Sequence, residues 1–213
     1  MSVTYTQFFS EVVPYVNDVP DLVAENAVRN ACIEFCEKSL YWQDTVRSQD
    51  LVSGTSDYTF ELPADTAVAH IVDAWADSRR ITPASEELLS NIFMFDWRER
   101  EGAPQYYTQI TQTGFTVVPT PNYDVPLGLS VIVALKPTRS STSTDSTLLD
   151  RWAEVIGYGA RSRLHAMPNQ AFTEPTLAAT YRAMFLAGIN QARVERNRGL
   201  VRTSLRVRNP RFV

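Results

Sequence analysis

Residue types that commonly catalyse reactions or bind metals are scarce in this chain of 213 residues. It has two histidines, His70 and His165, and two cysteines, Cys32 and Cys36. A structural zinc site needs about four such ligands, and an activated nucleophile needs a base beside it. The sequence has no Walker, dinucleotide-binding, G-x-S-x-G or H-E-x-x-H motif. We therefore expect no catalytic site, no cofactor and no metal.

The four candidate side chains have simpler structural interpretations. Cys32 and Cys36 are four residues apart in a helical pattern, which predicts two small buried core residues. Two cysteines give no disulfide framework, which fits assembly in a reducing cytoplasm. We interpret His165 as a polar residue near a helix end and His70 as part of a strand.

The most distinctive chemistry is a basic C-terminus. Residues 193–213 hold seven arginines, one acid and no lysine, a net charge of +6, whereas the rest of the chain holds 13 basic and 23 acidic residues, a net charge of −10. Beyond Gly199, Leu205 and Val207 alternate with arginines, and this two-residue period predicts an extended arm. Fourteen extended residues span up to ~45 Å. Such an arm can dock in a groove or add a strand to a partner, with Phe212 as an aromatic anchor.

A nucleic acid is the alternative partner for this arm. Arginines bind phosphates, and several aromatic residues could stack on bases: Tyr41, Trp42, Trp97, Tyr106 and Tyr107. Their spacing favours core or subunit-interface packing, however, and the whole chain has a net charge of −4, whereas nucleic-acid-binding domains are usually basic. The acidic body also favours a protein groove as the partner of the arm.

The composition, 44% apolar and 21% charged, is typical of a globular protein. The sequence has no run of about 18 apolar residues, so we expect no membrane span. The N-terminus lacks the basic region and long apolar stretch of a secretion signal.

Four helices are predicted near the two ends of the chain. The capping-box spacing of Thr4 and Gln7 predicts a short helix, and apolar residues at helical spacing predict a long one over 21–47. A second capping box at Thr147 and Asp150 predicts a helix over 147–167, and the last helix should run over 173–199, ending at Gly199. Between them, alternating patterns predict strands at 58–62, 68–75, 106–111, 115–118 and 127–135, with a short helix over 83–95.

The predicted fold class is therefore α+β. The N- and C-terminal regions, 1–49 and 138–199, are expected to form one four-helix bundle. Residues 50–137 are expected to form an inserted antiparallel β-rich module, and residues 200–213 an extended C-terminal arm.

Several segments together resemble the head-to-tail adaptor (neck) proteins of short-tailed phages, also called tail tubular protein A. They are ACIEFCEKSLYW at 31–42, YTFELP at 58–63, the segment 71–80, the helix 148–167 before Pro168, and EPTLAATY at 174–181 running on to 193. The resemblance covers nearly the whole chain. It lies in packing patterns rather than in a catalytic signature.

The resemblance implies a structural virion protein in the neck, assembled in the host cytoplasm. It implies a dodecameric ring that binds the portal protein on one side and offers a platform for the tail nozzle protein on the other. DNA would pass through the channel without specific binding. Because C-terminal arms in such rings commonly carry the portal contact, the portal-binding candidates are Arg202, Leu205, Arg206, Val207, Arg208, Arg211 and Phe212. Two alternatives stay open: a nucleic-acid-binding protein that uses the arginine-rich tail, and another tail component such as a tail terminator.

Overall fold

The computed structural model describes residues 2–109 and 111–199, and at 46–48 and 95 it describes the backbone alone. The α-helices of this part are α1 (Asp21–Ser39), α2 (Glu86–Phe93), α3 (Ser146–His165) and α4 (Pro175–Arg198). The strands are β1 (Ser2–Thr4), β2 (Gln43–Leu51), β3 (Asp57–Thr59), β4 (Thr66–Ala76), β5 (Arg79–Pro83), β6 (Tyr106–Thr108), β7 (Gly114–Val118), β8 (Val125–Pro137) and β9 (Ser143–Asp145). The fold is mixed α+β.

The predicted four-helix bundle is wrong, because three long α-helices pack together and the N-terminal segment is not a fourth. That segment forms two 3₁₀ turns, Tyr5–Glu11 and Val13–Tyr15. The expected capping box does not form. The Thr4 hydroxyl pairs with the Thr6 hydroxyl at 2.8 Å and caps no helical N–H. The turns still bury Phe8 completely against the helices.

The long helix α1 is also shorter than the sequence indicates. It ends at Ser39, since Leu40 adopts a left-handed conformation (φ 53°) and its N–H donates to the Cys36 carbonyl at 2.9 Å. An αL residue at this position closes the last helical turn. The chain then reverses into β2, so the segment predicted to finish the helix starts a strand instead.

Helices α3 and α4 form an antiparallel pair. The Ser162 hydroxyl donates to the Ala178 carbonyl at 3.0 Å, and the rings of Tyr158 and Tyr181 stack with centroids 6.0 Å apart. The helices approach closely because Gly159 has no side chain, and a Cβ there would lie 2.8 Å from the Phe185 ring. Helix α3 is capped by Asp145, whose carboxylate accepts from the Thr147 N–H at 2.8 Å; Thr147 itself is not the cap.

Seven strands form one sheet in the order β2-β8-β4-β5-β6-β7-β3. All neighbours are antiparallel except β5 and β6, which pair in parallel over two residues. The sheet curls, so that its two edge strands approach each other: the Gln49 amide on β2 donates to the Thr59 carbonyl on β3 at 2.7 Å. Its apolar interior includes Tyr58, Phe115 and Leu129. A separate two-stranded ribbon pairs β1 with β9.

The helical and sheet regions contact each other through α1 and β8. The Lys136 ammonium on β8 lies 2.6 Å from the Glu37 carboxylate on α1. The predicted division into 1–49 with 138–199, an inserted 50–137 and an arm at 200–213 stays a prediction.

Candidate docking surfaces

The base of the C-terminal arm is fixed to the helical region. On α4, Arg193 donates from Nε to the Lys38 carbonyl at the end of α1. The Glu195 carboxylate accepts from the Tyr41 hydroxyl at 3.3 Å and forms an ion pair with Arg151 of α3. Gly199 then ends the helix with φ 63°. The arm therefore begins at a defined point, where the ends of α1 and α4 lie side by side.

The arm itself lies outside the described residues. This holds for every predicted portal-binding residue: Arg202, Leu205, Arg206, Val207, Arg208, Arg211 and Phe212. Their assignment stays a prediction from charge and sequence pattern. What the structure adds is the position from which they start.

Glu34 is the electrostatic centre of the three-helix region. Arg182 of α4 binds its carboxylate with both terminal nitrogens, at 2.6 and 2.9 Å. Lys38 of α1 binds it at 2.5 Å, and Arg163 of α3 also donates to it. Burial opposes ionisation, but the bonds from Arg182 and Lys38 and the charge of Arg163 outweigh it and lower the pKa of Glu34 to about 2. One carboxylate therefore joins three helices.

A buried arginine attaches the N-terminal turns to α3. Arg161 is only 3% exposed, and its Nε donates to the Glu11 carbonyl at 2.6 Å. Its guanidinium lies 3.6 Å from the centre of the Tyr15 ring, near the stacked rings of Tyr158 and Tyr181. Tyr15 is half exposed. Arg161 therefore joins the N-terminal turns to α3 through both a backbone hydrogen bond and a contact with the Tyr15 ring.

His165 and the two cysteines are buried, whereas His70 is exposed on β4. The His165 ring is buried, donates from Nδ1 to the Phe172 carbonyl at 2.8 Å and stacks on Tyr181. The prediction of two buried cysteines is confirmed: Cys32 and Cys36 are free and fully buried, and burial raises the pKa of both thiols. Within the described residues, no group of three or more His, Cys, Asp or Glu side chains could hold a metal ion.

Two helix surfaces carry exposed groups that suit contacts with another protein. On α4, the outward positions from 176 to 191 carry no charge, and they are Thr176, Ala179, Thr180, Ala183, Met184, Leu186, Ala187, Asn190 and Gln191. A helix face turned to water normally carries charged residues. On α2, Leu88 and Ile92 are each 44% exposed, and Met94, the residue that follows the helix, is 73% exposed. No helix in the described ranges is long and apolar enough to cross a membrane.

Strand β2 leaves one edge of the large sheet open. Among the described strands it pairs with β8 alone. Its residues Gln43, Asp44 and Thr45 are all exposed, although Val133 and Ala134, which lie opposite on β8, are fully buried. An open edge presents backbone N–H and C=O groups that can pair with another strand.

Sequence reasoning missed the Glu34 centre and the contacts at the arm base. The only signal for the former was the spacing of Glu34 and Lys38, four residues apart on one helix. Nothing in the sequence indicated that Arg163 and Arg182, over 125 residues further along, would meet the same carboxylate.

Residues 3–208 match the model of a family described as SU10 adaptor protein. No curated protein matches the chain.

Proposed function

Because this chain belongs to the SU10 adaptor protein family, we propose that it joins the head of a phage to the tail as a ring in the virion neck. Membership makes the chain a phage adaptor, a structural protein, and confirms the resemblance found in the sequence. The finer proposal is a dodecamer that docks on the portal protein. Its opposite side offers a platform for the tail nozzle protein, and the genome passes through its channel.

The main support for the proposal is the basic C-terminal segment, whose first residues are bonded to the helical region. Residues 193–213 have a net charge of +6, and the contacts of Arg193 and Glu195 hold the start of this segment on the helical region. A fixed base limits the volume that the arm must search, which lowers the entropy lost on docking. Arg202, Arg206, Arg208 and Arg211, with Leu205, Val207 and Phe212, are the proposed portal contacts.

The charge of the rest of the chain suits a channel that releases DNA. Residues 1–192 have a net charge of −10, and like charge repels phosphates. A channel lined by such a body would let the genome pass without holding it. The uncharged outer face of α4 and the exposed apolar side chains of Leu88, Ile92 and Met94 are suitable contacts for neighbouring subunits or the nozzle protein.

The arm contact is tested with Arg206→Gln/Arg208→Gln, against Arg79→Gln/Arg100→Gln as a control of equal charge change at exposed positions. We expect the arm variant to bind purified portal at least ~10-fold more weakly, because each charged contact contributes about 1 kcal/mol or more. The control should bind normally. Affinity is measured by interferometry, and rings are counted by electron microscopy of the mixture. Unchanged affinity of the arm variant would reject the arm as the portal contact.

The same variants distinguish portal docking from the alternative of nucleic-acid binding, which the arginines favour. A DNA-binding arm would bind duplex DNA with an affinity that falls steeply with salt. A plot of log affinity against log salt concentration would have a slope of about −0.9 per phosphate contact. The adaptor proposal expects no such binding at physiological salt. If the chain is a tail terminator instead, it should not bind purified portal.

A further inference from the structure

We propose that, before any partner binds, residues 205–208 of the arm pair as an added strand along the open edge of β2 in the same chain. This goes beyond portal docking, since it gives the free subunit its own docking place for the arm. It does not require the ring or the portal.

The first support is that the edge of β2 is exposed near its start. Beside β8, whose Val133 and Ala134 are fully buried, the edge residues Gln43 to Thr45 are all exposed. Proteins usually cover or interrupt such edges because unpaired strand edges associate with other chains. The far half of β2 is already approached by β3 through the bond from Gln49 to Thr59, whereas the half that starts at Gln43 pairs with no described strand other than β8.

The second support is where the arm begins. Tyr41, two residues before β2, donates its hydroxyl to Glu195, and Lys38 accepts from Arg193. Gly199 lies only four positions beyond Glu195, about 6 Å along a helix. The arm therefore leaves α4 beside the start of β2. The ~45 Å that 14 extended residues can span is more than the pairing requires.

The third support is the chemistry of the two segments. Leu205, Arg206, Val207 and Arg208 alternate with the period of a strand, so both arginines would lie on one face. Asp44 is exposed on the edge strand, and opposite charges across neighbouring strands stabilise the pair. Backbone bonds would supply the affinity and this charge pair the register, as in other cases of strand addition.

The proposal is tested by residue-resolved amide hydrogen exchange on the free, full-length chain. The variant is Val207→Pro, because proline has no N–H and interrupts strand pairing. The control is Val213→Pro, the same change in the arm but outside the paired segment. We expect the outward amides of residues 43–47 to exchange at least ~10-fold faster in Val207→Pro than in the native chain, and at the native rate in Val213→Pro.

Two outcomes would overturn the intrachain pairing. One is equal exchange of the β2 amides in the native chain and Val207→Pro. The other is protection that increases with protein concentration, which would assign the edge to a second copy. The exchange experiment does not involve the portal. A negative exchange result would therefore leave the adaptor proposal intact, and a negative portal-binding result would leave the intrachain pairing intact.

Discussion

Replacing Phe185 with alanine is expected to lower the free energy of unfolding by about 3–5 kcal/mol, because a fully buried aromatic side chain loses its contacts and leaves a cavity. Phe185 is 0% exposed and lies at the close approach of α3 and α4, where its ring lies against Gly159. Its ring also lies beneath Arg163 and Arg182, 5.8 and 5.6 Å from the guanidinium centres. The substitution therefore removes both apolar packing and the support of two Glu34 ligands.

The neighbouring residue Met184 provides the matched control. It is 44% exposed on the outer side of the same helix, so Met184→Ala is expected to cost below about 1 kcal/mol. Urea unfolding followed by circular dichroism measures both variants. Similar losses for the two variants would contradict the position of Phe185 at the centre of the helix contact.

The helical core was largely predictable from the sequence. The period of apolar residues placed Phe35 and Phe185 on inward faces, and both are fully buried. Such local patterns are reliable when a helix buries one face. The start of the chain was not predictable in this way. Its capping-box pattern could be read in the sequence, but Thr4 bonds to Thr6 instead, and the segment packs as 3₁₀ turns.

The arrangement of the sheet was beyond the sequence. Alternation indicated strands near β4 and β8, but the pairing of β2 with β8 joins segments about 85 residues apart. Strand pairing depends on such distant contacts, and no local pattern specifies the partner. The parallel pairing of β5 with β6 and the curl that brings Gln49 to Thr59 were missed for the same reason.

The candidate docking surfaces also differ in whether the sequence or the fold indicates them. An arm could be predicted because charge and alternation are local properties of residues 200–213, and it stays a prediction. Its base was not, because the contacts of Lys38 with Arg193 and of Tyr41 with Glu195 each join residues more than 150 positions apart. The open edge of β2 required the strand order. Sequence therefore suggests that an arm exists, whereas the fold determines where it starts and what lies beside it.

Glu34→Gln is expected to lower the free energy of unfolding at pH 7 by about 2–3 kcal/mol, because three cations lose the anion that joins them. The Glu34 side chain is 16% exposed, so solvent screens these contacts only in part. Lys38, Arg163 and Arg182 come from three helices, so repulsion among them would act directly on the helix packing. Glu25→Gln is the matched control, since within the described residues the Glu25 carboxylate pairs with Arg29 of its own helix, at 3.1 Å, and joins no second helix. It should cost about 0.5 kcal/mol.

The pH dependence distinguishes lost charge from lost packing. The pKa of Glu34 is about 2 in the folded chain, below its ordinary value of 4.5, so the unfolded chain binds this proton more readily. Its contribution is therefore present above about pH 5 and is lost as the pH falls towards 2. Urea unfolding at pH 7 and pH 3 should show the native chain losing roughly 1–2 kcal/mol more than Glu34→Gln, after discounting for partial exposure. Equal losses in the two proteins would mean that the Glu34 charge does not hold the helices together. A selective loss would show that the carboxylate joining α1, α3 and α4 also stabilises the base from which the arm extends.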